Sequence, residues 1–359
     1  MLNAILMAVV MLAGFGFFAF TMRNKIALLL KAKPENRFDN LRERIGGMVY
    51  IAFGQRKMFK DPVPGLMHAL IFWGFLALLL RSILLMLSPF GAPSSLPGAI
   101  GHFYTFFKDI TEIVVALMVL YAVFRRVVLK PERVTQSSEA YLILGLIFTL
   151  MITDFIYDGA KFAQGRDLAE MKFAPAGAFF AGMLGGAQPG ILAAVEHGMF
   201  WIHIITLFVF LNLLPYSKHF HVITSIPNVF FQKLDPPGAI APIKDIENQE
   251  VFGVGKVEDF TWKQILDTYS CTECGRCTVN CPAWQTGKAL NPKFMQVDIR
   301  DHLKEKAPHI LGKNGEYKGK SLIEAVKEEV IWQCTTCRSC EENCPVTIIH
   351  VDKIVDMRR

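Results

Sequence analysis

Charge is scarce in this chain of 359 residues. Asp, Glu, Lys and Arg together supply 19 % of it and apolar residues 52 %, whereas an ordinary soluble domain is about a quarter charged. The scarcity is uneven. Apolar blocks long enough to span a bilayer lie before residue 216, which excludes a protein that is soluble throughout. A net charge of +6 is modest and unevenly placed, so it speaks for membrane orientation and against nucleic-acid binding. Period-two alternation is missing after residue 260, which disfavours a compact β-containing ferredoxin there. Beyond two cysteine-rich boxes there is no internal repeat, and there is no low-complexity tract. Cysteine is absent from the first 270 residues, and all eight cysteines fall inside the boxes.

The boxes run Cys271-Thr-Glu-Cys274-Gly-Arg-Cys277-Thr-Val-Asn-Cys281-Pro282 and Cys334-Thr-Thr-Cys337-Arg-Ser-Cys340-Glu-Glu-Asn-Cys344-Pro345. Each reads C-x2-C-x2-C-x3-C-P. Three thiolates on one tight loop plus a fourth suit a [4Fe–4S] cube, and in two-cluster ferredoxins the fourth ligand comes from the other box. The expected sets are therefore Cys271, Cys274, Cys277 and Cys344 for cluster 1, and Cys334, Cys337, Cys340 and Cys281 for cluster 2. Structural zinc uses paired CxxC motifs and has no need of the third cysteine or the following proline. Disulfides need an oxidising compartment, and cysteines this close mostly cannot bridge.

Taken in order, the chain predicts an all-α protein: a five-span transmembrane bundle, then a cytoplasmic α-helical two-cluster domain. The spans are expected at about 2–21, 65–87, 102–128, 138–157 and 190–214, each near the roughly 20 residues a crossing needs. The first run has no basic stretch before it, so it reads as a retained helix and not a signal peptide. Ten Lys and Arg residues between Arg23 and Lys60 place that segment in the cytoplasm and the N-terminus outside. The apolar piece Phe173–Gly186 is too short to span and reads as interfacial or re-entrant. The fifth span is followed by Pro215 and is expected to continue helically toward His221. Domain boundaries fall at 1–223 (membrane), 224–259 (a proline-rich linker) and 260–359 (iron–sulfur).

Ionisable groups within spans are functional candidates by default. His68 sits one turn inside the second span. His203 and His221 are 18 residues apart, five full turns of a continuous helix, or about 27 Å. Two same-face histidines at different depths are what two stacked b-type haems would use, each iron taking an imidazole from either side. Arg81 is a candidate partner for a haem propionate, or else a snorkelling side chain. Glu196, His197, Lys108, Asp109 and Glu112 are candidates for the proton exchange that quinone chemistry demands. Lys108 and Glu112 also form an i,i+4 pair that satisfies itself.

The stretch from His203 through Pro215, Ser217 and Lys218 to His221 resembles the last span of the respiratory nitrate reductase gamma (cytochrome b) family. That family has a histidine, a proline 12 on, a Ser-basic pair and a second histidine 18 on. The segment from Arg56-Lys57-Met58 through His68 to Pro89 is similar to the family's second span. There the family carries two histidines ten apart. His68 matches the first, but Leu78 stands at the second and cannot ligate. The resemblance thus implies one haem b held by His68 and His221. A second haem, on His203, would need another partner, His102 at the outer start of the third span or its rival His197.

Fusion of such a cytochrome b to a two-cluster domain resembles the membrane subunits of the heterodisulfide reductase superfamily, among them sulfite-reduction-associated menaquinol complexes and electron-transfer-flavoprotein:menaquinone oxidoreductases. The resemblance implies a quinone-linked oxidoreductase of a prokaryotic cytoplasmic membrane. Electrons would pass between menaquinone or another quinone and a soluble redox partner, by way of haem b and two [4Fe–4S] clusters. The partner would be an electron-transfer flavoprotein or a CCG-domain subunit. A CCG domain follows the clusters in that superfamily and is not found before Arg359, so it is expected on a longer chain or on another polypeptide. The alternatives are a relay subunit with no quinone site of its own and a zinc-bearing scaffold.

Overall fold

The structure, a computed structural model, describes residues 1–243, 246–250 and 252–359. The long helices are α1 (Leu2–Lys31), α2 (Pro62–Leu87), α3 (Gly98–Phe124), α4 (Ser138–Ala163), α5 (Pro175–Leu184), α6 (Pro189–Leu213), α7 (His221–Phe230), α8 (Trp262–Ser270), α9 (Pro292–Ile310) and α10 (Val351–Arg358). Among the described residues no strand forms, and one isolated parallel bridge joins Lys33 to Thr261. Two compact units emerge. One comprises Met1–Ala19, Asp61–Pro131 and Gln136–Leu213, and the other Phe20–Lys60, Glu132–Thr135 and Leu214–Arg359.

In the first unit α4 is the central helix, packed along α5 and α6 and against α3, which in turn packs on α2. Close packing of α4 on α5 rests on Gly159, where a Cβ would stand 2.6 Å from that of Phe180. Four helices are long and apolar enough to cross a membrane: Leu2–Lys31, Pro62–Phe90, Ser138–Ala163 and Pro189–Tyr216. Their large apolar side chains are mostly turned outward, among them Leu12, Phe75, Leu79 and Ile205. In water such surface would be a liability, and in lipid it costs nothing. The third expected span, about 102–128, falls on the 27-residue α3, which is not among those four helices. It is less apolar because Lys108, Asp109 and Glu112 interrupt it.

Those charges are buried with partners from α4 and α5, and share the α4 carboxylates with Arg81 of α2. Arg81 donates from Nε to Asp154 at 3.1 Å and from Nη2 to Asp158 at 2.7 Å. Lys108 Nζ donates to Asp154 at 3.0 Å and Asp158 at 2.7 Å. Glu112 lies 3.3 Å from Lys108. The i,i+4 pair is therefore one edge of a larger network spanning three helices. Arg81 does not snorkel and is not open to a propionate, because its remaining Nη1 donates to the Ser94 carbonyl at 3.0 Å. Asp109 caps α5, accepting from the Ala176 and Gly177 amides at 2.8 and 3.3 Å.

The second unit departs from the expected boundaries. The basic segment Phe20–Lys60 belongs to it, and Leu28 of α1 sits in the same core as Phe260, Ile265, Leu290, Ile299 and Ile354. Trp262 Nε1 donates to the Glu35 carbonyl at 2.8 Å, and buried Arg44 donates to that of Gln232 at 2.7 Å. The expected linker begins as helix: α7 buries Thr224, Asn228 and Val229. Residues 244, 245 and 251 of that stretch lie outside the described residues. The expected helical run into His221 is also interrupted. After Leu213 come two tight turns, Leu214–Tyr216 and Lys218–Phe220, before α7 starts afresh. Pro215 lacks an amide hydrogen and its ring crowds the preceding turn. The five-turn phase relation between His203 and His221 is thereby lost.

At the base of this core Asp267 is fully buried between Lys263 at 2.6 Å and Lys353 at 2.8 Å. Asn228 bridges Asp267 to the Val346 carbonyl. Burial alone would raise the Asp267 carboxyl, but Lys263 and Lys353 outweigh it and hold it at about 2. His350 is held down to about 4 by burial and then by Lys353.

Two outcomes are expected. Arg81→Leu leaves two buried carboxylates facing one lysine and should cost about 3–5 kcal/mol in detergent unfolding, with the double substitution Arg81→Leu/Asp158→Leu recovering most of it. His350 is neutral in the native state, while the unfolded ring takes a proton below its ordinary 6.5. Its contribution is complete above pH 6.5 and falls away down to about pH 4, amounting to about 3 kcal/mol. Thermal denaturation across that window should show the slope, and His350→Leu should flatten it.

Candidate functional site: two four-cysteine groups and a buried histidine

Each cysteine box wraps its loop the same way. Glu273 and Gly275 in the first box adopt positive φ (55° and 73°), as do Thr336 and Arg338 at the matching places of the second (56° and 62°). This turns successive cysteines inward on one loop. Gly275 suits the conformation and Arg338 tolerates it, its guanidinium held by Glu341 at 2.6 Å. A single helical turn follows each loop, Arg276–Val279 and Ser339–Glu342. It carries the chain to the fourth cysteine, Cys281 or Cys344, which precedes a proline. The second loop is braced by the basic segment: Lys57 Nζ reaches the Glu341 carbonyl at 3.4 Å, and Lys60 donates to the Glu342 carbonyl at 3.0 Å. Arg276 donates to the Lys57 and Met58 carbonyls at 2.9 and 3.0 Å.

The fourth cysteines cross over. Cys344 packs on Cys271 within a small cluster that includes Val346 and Ile348. Cys281, Cys334, Cys337 and Cys340 line one cavity together with Leu290 and Ile354. Electrostatic neighbours divide largely the same way, although Cys277 feels Cys340 as well as Cys274, Cys271 and Cys344. Burial first, then Cys274 and Cys344, pushes the Cys271 thiol up to about 12. Cys340 is raised by burial and then by Glu341, Cys334, Cys281 and Cys337. Burial and Cys274 likewise raise Cys344 to about 11. Thiols in such surroundings ionise only with a cation among them, which iron supplies. The donor set fits two cubes. Backbone amides approach two of the sulfurs, Thr336 to Cys334 Sγ at 3.3 Å and Ile348 to Cys344 Sγ at 3.4 Å, the kind of contact that tunes a cluster's potential. Among the described residues no three His, Cys, Asp or Glu side chains are gathered as one metal ion would need. A cube holds its thiolates farther apart than the about 2.3 Å bonds of a single zinc allow.

The histidines have separate surroundings. His203 in α6 is 5 % exposed, and its Nδ1 lies 3.1 Å from Thr153 Oγ1. That hydroxyl gives its own hydrogen to the Thr149 carbonyl at 2.7 Å. It therefore accepts from Nδ1–H, and Nε2 is left as a buried lone pair with no hydrogen-bond partner. In this tautomer Nε2 can accept a proton or a metal, while the other nitrogen is oriented by a hydroxyl. His102 is paired with Glu170 at 3.1 Å and stacked on Phe173. Leu78 packs among Val115, Val119 and Phe155. His68 is half-buried in α2, and His221 opens α7 with Nδ1 3.1 Å from the Lys218 carbonyl. His197 lies on the first turns of α6, its ring edge-on to Trp201. Sequence reading missed Asp154, Tyr157 and Asp158. The signal was present as an i,i+4 carboxylate pair at the end of an apolar run.

A 4Fe-4S dicluster domain family matches residues 270–349. The chain is 34 % identical to an EtfAB:quinone oxidoreductase of Syntrophomonas wolfei, over 99 % of this chain and 54 % of that protein. It is 31 % identical to a probable iron-sulfur-binding oxidoreductase, FadF, of Bacillus subtilis, over 99 % of this chain and 55 % of the relative. Over 26 % of its length it is 34 % identical to one of the subunits of a ferredoxin:CoB-CoM heterodisulfide reductase of Methanosarcina mazei, 46 % of which is covered. The chain spans about half the length of the first two relatives. No solved structure matches it.

The crossed ligand sets have a direct test. Replacing Cys334, Cys337 and Cys340 together with serine should leave about four irons per chain, since Cys271, Cys274, Cys277 and Cys344 remain. Adding Cys344→Ser should then remove those as well. If each box kept its own fourth cysteine, the added change would leave the iron content unmoved.

Proposed function

We propose that this chain, a homologue of those iron–sulfur oxidoreductases and of heterodisulfide reductase membrane subunits, is a quinone-linked electron-transfer protein of a prokaryotic cytoplasmic membrane. Electrons pass between menaquinone or another quinone and a soluble redox partner, an electron-transfer flavoprotein or a CCG-domain subunit. The observation that carries the reading is the pair of four-cysteine groups in a chain whose other unit is built of apolar helices around a histidine with a bare Nε2. Cys271, Cys274, Cys277 and Cys344 would hold one [4Fe–4S] cluster, and Cys334, Cys337, Cys340 and Cys281 the other. His203, His68 and His221 are the proposed haem b ligands. The pairing of His102 with Glu170 weakens its claim. Iron in these groups supplies one-electron chemistry, while the protein sets position and potential.

The residues of the chain support this work in stated ways. Thr153 fixes the His203 tautomer. Lys57, Lys60 and Arg276 fasten the cysteine loops to the basic segment by hydrogen bonds to carbonyl oxygens. That segment shares a compact unit with both boxes, and the positive-inside rule, applied to Arg23–Lys60, supports a cytoplasmic side for them.

Purified full-length protein, mixed anaerobically with a short-chain naphthoquinol, should show reduction of cluster EPR and haem optical signals. His203→Ala should lower haem content in a pyridine-haem assay and leave about eight irons per chain. Absence of any quinol-driven reduction would sink the quinone link and favour the relay reading.

A further inference from the structure

A cavity of about 310 Å³ opens in the membrane unit, walled by Asn3 of α1, Ser88 and Pro89 after α2, Tyr157 of α4, and Glu196 and His197 of α6. We propose that it receives the quinone head group, and that Glu196 and His197 exchange the two protons of quinone chemistry there. The proposal rests on the reading of the chain as quinone-linked and gives that reading a place.

Four observations carry it. The volume lies at the lower end of the roughly 300–1,000 Å³ usual for small-molecule sites, enough for a fused ring and too little for an isoprenoid tail. Residues adjoining the walls in sequence are exposed and apolar: Leu2, Leu87 and Phe90. On helices of membrane-crossing length, that surface is where a lipid-dissolved ligand arrives with its tail outside. The lining is aromatic on one side, where the Tyr157 ring packs on Phe200 at 6.1 Å, and polar on the other. Glu196 is held in position by Arg166 at 2.7 Å and Gln164 at 2.9 Å. The fourth is spacing on α6. Glu196 and His203 are seven residues apart, two turns along one face, or about 10.5 Å of rise. A head group beside Glu196 is thus a short step from any redox group carried on His203.

The chemistry balances. In quinol oxidation both O–H bonds break and both carbonyls form. Two electrons leave for the iron-bearing groups of the chain, and two protons pass to the Glu196 carboxylate and the His197 imidazole. A proton on Glu196 weakens its hold on Arg166, which is 54 % exposed, so the proton leaves to water at that side chain. Quinone reduction runs the same steps in reverse.

The full-length protein in detergent is photolabelled with an azido-naphthoquinone, and quinol-driven reduction is followed in parallel. Wild type should be labelled saturably on peptides covering 82–90 and 189–201. Ala193→Trp, which fills the cavity from an exposed wall position, should cut labelling and raise the quinol KM at least tenfold. Glu196→Gln and His197→Phe should lower kcat roughly 100-fold and shift its pH profile, with dithionite-reduced cluster and haem spectra unchanged. Labelling elsewhere, labelling indifferent to Ala193→Trp, or wild-type kcat in both proton-site variants overturns the site while the quinone-linked reading stands. Specific labelling of the cavity without quinol-driven reduction in wild type overturns that reading, and the proton roles with it.

Discussion

The crossing of the fourth cysteines governs the iron–sulfur unit. Cys344 packs against Cys271, and Cys281 lines one cavity with Cys334, Cys337 and Cys340. Neither group of four can assemble until both boxes and the helices between them are in place. The apolar core around Ile265, Leu290, Ile299 and Ile354 is what brings chain segments some 60 residues apart into one site. Asp267 locks the same arrangement from beneath, tying α8 to α10 through Lys353 and to α7 through Asn228. The segment Phe20–Lys60 closes it from another side. Cluster ligation and folding are therefore one problem here, as in other domains whose ligands come together only in the native state.

The membrane unit meets the opposite constraint. Its helices have no apolar driving force toward one another in lipid, so small residues and polar contacts must join them. Gly159 lets α4 and α5 meet closely, and Arg81, Lys108, Asp154 and Asp158 tie α2, α3 and α4 into a nearly neutral knot. A buried pair of this kind gains little over apolar packing in water, but severing one partner strands a charge where nothing can solvate it. Lys108 and Glu112 alone would have satisfied only an isolated helix. Their enlistment with Arg81 explains why α3 tolerates three charges along its length.

What the sequence disclosed follows from how local each signal is. The dicluster domain was legible because the cysteine spacing is a property of a single loop, and the apolar helices because hydropathy accumulates over about 20 residues. The break at Pro215 was visible as a proline, but its consequence was not, since helix continuation across it is a tertiary outcome. The folding of Phe20–Lys60 into the iron–sulfur unit left no local mark. Its lysines read correctly as basic, yet nothing in their spacing announced carbonyls of the second box as partners. Asp154 lay inside the expected fourth span and Asp158 one residue past its end, so their i,i+4 relation straddled a boundary and was passed over.

The bare Nε2 of His203 shows how far a local geometry can be taken. A histidine buried in an apolar helix is ordinarily satisfied at both nitrogens or packed as a hydrophobe. Here Thr153 spends its hydrogen on the Thr149 carbonyl and so can only accept from Nδ1. The hydroxyl, itself an ordinary back-bonded threonine, thereby settles which nitrogen of the neighbouring helix keeps its lone pair. An uncharged acceptor orients the ring without adding another carboxylate beside Asp154. A carboxylate in the place of Thr153 would orient the ring equally well, but it would add a fixed negative charge to a knot already balanced by Arg81 and Lys108. The threonine leaves Nε2 with its lone pair and the charge balance of α2, α3 and α4 undisturbed.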